Sequence, residues 1–189
     1  MTLNIDSDED EEEFFKNKPK TKCKICNKEI LLISLDFHNK SHSSQILPWL
    51  FLGSEQNALD INELNYNNIS FILNCGFECE DTSHNNKYSY LKLDIKDLAD
   101  FDIKKYFNEA HNFINKAKIN SKNILIHCFA GLSRSPSIVI SYLMKELEYS
   151  YINALNFVKE KRPQIKINID FLIILKKYEN ELNEERKLI

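Results

Sequence analysis

The chain has 189 residues, 43% of them hydrophobic, with only three glycines and four prolines. That is enough apolar material for one ordinary domain plus a small module, and it excludes a fibrous or Gly/Pro-rich low-complexity chain. No apolar run reaches the ~18–20 residues of a membrane span, the acidic start is unlike a secretory signal, and Thr2 stands where myristoylation needs glycine. The expectation is a soluble intracellular protein, cytoplasmic or nuclear, with no membrane partner. In a reducing compartment the five cysteines (Cys23, Cys26, Cys75, Cys79, Cys128) read as metal ligands, core thiols and a nucleophile, not as a disulfide framework.

In chain order, residues 1–15 read as a disordered tail, because an acidic run repels itself. Seven acids fall in residues 6–13 against a net charge of −3, so the remainder carries +4. That mild positive balance suits anionic substrates. Residues 16–44 are rich in lysine and contain Cys23-x2-Cys26-x11-His38-x3-His42. This spacing resembles a two-Cys, two-His zinc finger, one residue shorter in the central gap than the common twelve, with Ile30 in place of the usual aromatic. Ile30 and Leu35 stand where such fingers place their small core. The resemblance implies a structural zinc held by Cys23, Cys26, His38 and His42; the alternative is four polar residues in a disordered linker. The usual base-contacting positions fall on Leu31, Ser34 and Phe37, and two of these are apolar and cannot donate to base edges. No specific nucleic acid is expected, and a protein partner or a stabilising role is preferred for this module.

Residues 45–189 alternate strand and helix patterns. Trp49–Leu52, Phe71–Cys75, Tyr88–Ile95 and Ile124–Cys128 read as strands. Helices are predicted over Asp102–Lys118, Ser137–Leu147, Ile152–Lys161 and Phe171–Leu182, the second buried nearly all round. The order predicts an α/β fold: a central, mostly parallel twisted sheet flanked by helices.

The segment His127-Cys128-Phe129-Ala130-Gly131-Leu132-Ser133-Arg134-Ser135-Pro136 lies between an apolar strand and an apolar helix. Free backbone N–H groups and the helix dipole make such a junction an anion site. Gly131 permits the sharp turn, Ser135 can cap the helix, and Pro136 suits its first turn. The same N–H groups favour a Cys128 thiolate at the base of the loop, and Arg134 offers a planar fork for two phosphate oxygens. A thiolate facing a held phosphate is arranged for nucleophilic displacement.

His-Cys-x5-Arg followed by Ser resembles the loop of the protein tyrosine phosphatase superfamily, and Ala-Gly-x-Ser-Arg-Ser-Pro resembles its dual-specificity subgroup. The likeness covers most of residues 46–180, including LFLGS, ILNC and KRPQIKINIDF; the last departs from the family at Ile167, where proline is usual, and Asp170, where glycine is usual. The departures concern that turn and are not expected to touch the loop chemistry. The resemblance implies a phosphocysteine on Cys128, with Phe129, Ala130, Gly131, Leu132, Ser133 and Arg134 binding the phosphoryl group. It implies that Ser135 helps Cys128 leave, and that His127 helps hold the thiolate by hydrogen bonding without acting as base. It places the general acid at Asp97. Asp94 falls in the predicted strand, and Asp100 or Asp102 reads better as a helix cap. Asn74 either bonds the loop or caps its strand. Cys75 and Cys79 either fill the core or supply a thiol that resolves oxidised Cys128.

The resemblance thus implies hydrolysis of phosphotyrosine and phosphoserine/threonine in proteins, with no cofactor for catalysis. A phosphoinositide or RNA 5′-phosphate substrate would favour extra lysines in the loop, and Phe129, Ala130, Leu132 and Ser133 carry no charge. A non-enzymatic phospho-binding adaptor would be expected to lack Cys128, Arg134 or the acid.

Overall fold

The computed structural model describes residues 18–82 and 86–187. The expected acidic tail, residues 1–15, lies outside them. The chain divides between His42 and Ser43 into two compact units.

In the first unit, β1 (Lys20–Lys22) pairs antiparallel with β2 (Glu29–Leu31). The turn between them is closed by Asn27 N–H donating to the Cys23 carbonyl at 2.9 Å, with Asn27 at a φ of 61°. Asparagine tolerates this left-handed conformation better than most residues. A 3-10 turn (Leu32–Ser34) leads into α1 (Leu35–Ser41), which carries His38 and ends at His42.

The second unit contains β3 (Ser44–Leu47), β4 (Leu50–Ser54), α2 (Glu55–Leu59), α3 (Ile61–Tyr66), β5 (Ile69–Asn74) and β6 (Ser89–Lys92). A 3-10 turn (Lys104–Tyr106), α4 (Phe107–Ile119), β7 (Asn123–Cys128), α5 (Arg134–Glu146), α6 (Tyr151–Lys161) and α7 (Ile169–Lys187) follow. The sheet order is β3-β4-β7-β5-β6; β3 runs antiparallel to β4 and the remaining pairs are parallel. This is the mostly parallel sheet the alternation predicts. Successive strand residues face opposite sides, so the sheet fills two cores. Leu50, Leu52, Phe71, Leu73, Ile124 and Ile126 meet Ile114, Val139 and Phe171 on one side. Phe51, Ile72 and Leu125 meet Ala58 and Leu64 on the other. Burial on both faces explains why β7 reads as an unbroken apolar run.

The sequence reading omits β1 and β2, β3, α2 and α3, which span three to six residues each and are too short to show a period. The first predicted helix opens instead as the 3-10 turn, and α5 begins three residues early, at Arg134. β6 ends at Lys92, so Asp94 lies just past the strand and not within it.

Two histidines inside this unit face no charged partner of opposite sign. His111 Nε2 lies 2.9 Å from Ser141 Oγ, and its Nδ1 has no partner among the described residues. Burial, aided by the Lys145 charge, brings its pKa down from 6.5 to about 3, and burial brings His127 to about 4. Because the folded values lie below the unfolded one, the unfolded chain takes up these protons first as pH falls. Stability is then complete above about pH 6.5 and is lost below it, at about 1.4 kcal/mol per pH unit per histidine down towards the folded value. The urea midpoint should therefore drop from pH 7 to pH 5, and His111→Gln should flatten that drop by removing one of the two titrations. An equal drop in the variant would show that His111 is not a linked group.

Candidate active site

The loop between β7 and α5 sits at the carboxyl ends of the parallel strands, where β4 and β5 flank β7 on either side (Ser54 beside Cys128, Asn74 beside His127). Gly131 has a φ of +68°, and a Cβ there would run into the Gly53 carbonyl oxygen and the Arg162 guanidinium. Only glycine meets both demands.

The loop's carbonyls are drawn outward. Phe129 O accepts from Glu55 N at 3.1 Å, and Leu132 O from Lys166 N at 2.9 Å. Gly131 O accepts from Arg162 Nε at 3.0 Å. Ser133 O accepts from Ser137 N at 3.0 Å and Ser137 Oγ at 2.8 Å. None of the backbone N–H groups from Phe129 to Ser133 donates to a backbone carbonyl among the described residues. N–H groups left in this way, followed by the first turn of a helix, are what an anion-binding nest is built from.

Cys128 is only 2% exposed, and its sulfur accepts a hydrogen bond from Ser135 Oγ at 3.2 Å. Ser135 thus lies inside the helix and is not its cap. Ser133 is the cap residue, and its hydroxyl goes to Asp97 instead. Arg134 is 5% exposed; its Nη1 and Nη2 donate to the two Glu78 oxygens at 2.5 and 2.6 Å, and Nη1 also to the Ile95 carbonyl at 3.3 Å. Burial works against the guanidinium charge, but Glu78, Cys128 and Asp97 outweigh it and the pKa rises. The bond to Arg134 holds the Glu78 carboxyl below the usual range. Arg134 Nε is buried with no hydrogen-bond partner among the described residues, a donor left over for an anion, and Asp97 Oδ2 lies 3.9 Å from it.

Among the four aspartates weighed, Asp97 reaches this centre. Asp102 Oδ1 caps Lys104 N at 3.1 Å, Asp100 N donates to Asp170 Oδ2 at 3.3 Å, and the Asp94 carbonyl accepts from Tyr106 OH at 3.1 Å. The expected bond from His127 to the Cys128 thiolate is not formed: its imidazole meets the Cys128 backbone, and Ser135 bonds the sulfur. Neighbouring strand residues point to opposite faces, which is why. Asn74 bonds the loop after β5, not the phosphate loop. Its amide reaches Glu80 O and Tyr90 OH at 3.1 and 2.8 Å, and its Oδ1 accepts from Gly76 N at 2.9 Å. Cys75 and Cys79 are buried and free. Burial first, then the neighbouring Cys128, raises Cys75 well above its usual value; burial and nearby carboxylates bring Cys79 to about 12. Both are protonated at neutral pH, which suits packing and slows attack on an oxidised sulfur.

Sequence reasoning missed Glu78 and Arg162. Both lie in loops without a periodic signal, and the bonds of Glu78 to Arg134 and of Arg162 to Gly131 are visible only in the fold. The KRPQIKINIDF segment also proves closer to the loop than expected. Ile167 packs on the core and Asp170 reaches Asp100, but Arg162, Lys166 and Asn168 bond the loop directly.

In the first unit, Cys23, Cys26, His38 and His42 bring their ligand atoms within 4.8 Å of one another. Cys23 Sγ lies 3.2 Å from His42 Nε2, Cys26 Sγ 3.3 Å from His38 Nε2, and the two Nε2 atoms 3.2 Å apart. A tetrahedral zinc with bonds of about 2.0–2.3 Å has edges of about 3.3–3.8 Å. Burial opposes a Cys23 thiolate, but hydrogen bonds from the Cys26 and Ile25 backbones and from both histidines bring it to about 6. The residues fit the metal.

A thiol and a guanidinium at the mouth of a parallel sheet define the second unit as a cysteine-based phosphatase fold. The family model described as "Dual specificity phosphatase, catalytic domain" matches residues 50–181. The chain belongs to the dual specificity phosphatase catalytic-domain family. It is 37% identical over 144 residues to a protein phosphatase Slingshot homolog of Xenopus laevis, covering 76% of this chain and 21% of that one. It is 35% identical over 139 residues to dual specificity protein phosphatase 8 of Mus musculus, covering 74% and 21%. The chain therefore spans about a fifth of the length of these relatives. A leucine rich repeat and phosphatase domain containing protein from Entamoeba histolytica superposes with a TM-score of 0.70 at 29% identity, covering 78% of this chain and 97% of that one.

The geometry makes Glu78 the brace of Arg134. Glu78→Gln removes the charge and one of the two acceptors, and should weaken inorganic phosphate binding about tenfold by calorimetry. The neighbouring Glu80→Gln serves as control. Equal affinities in the two variants would remove Glu78 from the anion site.

Proposed function

We propose that this protein hydrolyses phosphotyrosine and phosphoserine/threonine in proteins through a phosphocysteine intermediate, with the whole protein acting on phosphorylated protein substrates inside the cell. The observation that supports the reading is the cradle itself: outward carbonyls, N–H groups without backbone acceptors and an Arg134 Nε without a hydrogen-bond partner among the described residues, and a buried sulfur hydrogen-bonded by Ser135.

The N–H groups of Phe129–Ser133 and Arg134 hold the phosphoryl oxygens and stabilise the charge that spreads over them. The Cys128 thiolate attacks phosphorus while Asp97 gives its proton to the departing oxygen. In the second half, Asp97 takes a proton from the attacking water, and Ser135 Oγ–H stabilises the sulfur as it leaves. The chemistry uses no metal. The uncharged side chains of Phe129, Ala130, Leu132 and Ser133 favour a singly phosphorylated protein site over a phosphoinositide or RNA 5′-phosphate. Phe129, 57% exposed at the loop, offers apolar surface to the substrate.

The wild type should turn over a phosphotyrosine peptide and a phosphothreonine peptide in EDTA. Cys128→Ser should abolish turnover, and Asp97→Asn should lower it about 10²–10⁴-fold. A folded wild type that binds both peptides and hydrolyses neither would make the protein an adaptor.

We also propose that Cys23, Cys26, His38 and His42 hold a structural zinc that stabilises the first unit. The small buried interior of that unit supports this, since so short a segment needs a staple. Elemental analysis should give one zinc per chain, lost in Cys26→Ser/His38→Ala, with phosphatase activity retained. Zinc-free wild type purified without chelator would refute it.

A further inference from the structure

Asp97 stands on a loop without secondary structure, its side chain 33% exposed. A carboxyl so placed can turn about its last bond and exchange its two oxygens. Here it is tethered. Oδ1 accepts from Ser133 Oγ at 3.0 Å and from Asn168 Nδ2 at 3.2 Å. Asn168 N in turn donates to Ser133 Oγ at 3.1 Å, so the three residues close a triangle. The second Nδ2 hydrogen reaches the Leu98 carbonyl at 3.2 Å. The amide itself cannot flip without loss, because Asn168 Oδ1 accepts from Asp170 N at 2.9 Å. Asp170, in turn, accepts from Asp100 N in the acid loop.

We propose that Asn168, together with Ser133, is a positioning residue that decides which oxygen of Asp97 delivers the proton. The assignment rests on Asp97 being the general acid of the proposed reaction. Two donors occupy Oδ1, so the acid proton resides on Oδ2, the oxygen on the Arg134 side of the carboxyl. As the Cys128–phosphorus bond forms and the phosphorus–oxygen bond breaks, the Oδ2 proton passes to the leaving oxygen. Asp97 is left as a carboxylate whose Oδ1 is already bonded. A fixed donor oxygen avoids the loss that follows from misplacing a reacting atom.

The test compares kcat and KM on p-nitrophenyl phosphate, whose leaving group needs little protonation, with phenyl phosphate, whose leaving group needs it. Asp97→Asn should raise the ratio of kcat/KM on the first to that on the second about a hundredfold. Asn168→Ala should raise it about tenfold, and Asn168→Asp, which keeps the size and removes the donor, should do the same if the alanine variant fails to fold. In Asp97→Asn, adding Asn168→Ala should leave the ratio where it was, since residues acting as one unit are not additive. A parallel fall on both substrates, or additive effects in the double variant, overturns the assignment and makes Asn168 a support of the phosphate loop alone. A ratio that Asp97→Asn leaves flat removes the acid itself. A folded wild type inactive on both substrates removes the phosphatase reading and this one with it.

Discussion

The outward pull on the carbonyls of Phe129, Gly131, Leu132 and Ser133 is the constraint from which the site follows. An anion nest needs N–H groups pointing inward, and a peptide cannot turn its N–H in without turning its C=O out. The carbonyls so turned need donors elsewhere. Glu55 N, Arg162 Nε, Lys166 N and the helix-bound Ser137 supply them for Phe129, Gly131, Leu132 and Ser133. The β-sheet places the loop, but these donors give it its curvature.

Charge is handled in the same way. Arg134 is buried, and an unpaired buried guanidinium is costly. Glu78 takes two of its donors in a bidentate pair and so aims the fork, while Nε has no hydrogen-bond partner among the described residues. His127 and His111 avoid the problem by remaining neutral. Asp97 stands on a loop of its own, held by Ser133 Oγ and with Oδ2 3.9 Å from Arg134 Nε.

The central strands and the four long helices were legible because burial on two faces or one leaves runs and periods in the sequence. The sequence placed Cys128, Arg134 and Ser135 together because they lie within one eight-residue segment, and it singled out Asp97 on a strand-end loop, which the fold brings to Ser133 and Arg134. What escaped was pairwise. Ser135 looked like a cap because the helix start was set three residues late, and capping logic depends on that boundary. His127 was given a partner that strand alternation denies it, while Asn74 takes the second of its two expected roles, closing the end of its own strand through Gly76 N. Glu78, Arg162 and Asn168 act through atoms brought near by topology; the KRPQIKINIDF motif marks the stretch that holds Arg162 and Asn168 but not the atoms they bond.

The clamp on the phosphate loop also has a temporal side. Its donors lie far along the chain from the carbonyls they hold: Glu55 some seventy residues before, Arg162 and Lys166 some thirty after. Closing such loops costs entropy that is recovered only when the contacts form. The parallel core of β4, β5 and β7 contains none of these donors, so it can assemble while the loop still lacks its curvature. A chain ending with α6 would keep its sheet and Cys128 but lack Arg162 and Lys166, and with them the donors that hold the Gly131 and Leu132 carbonyls outward.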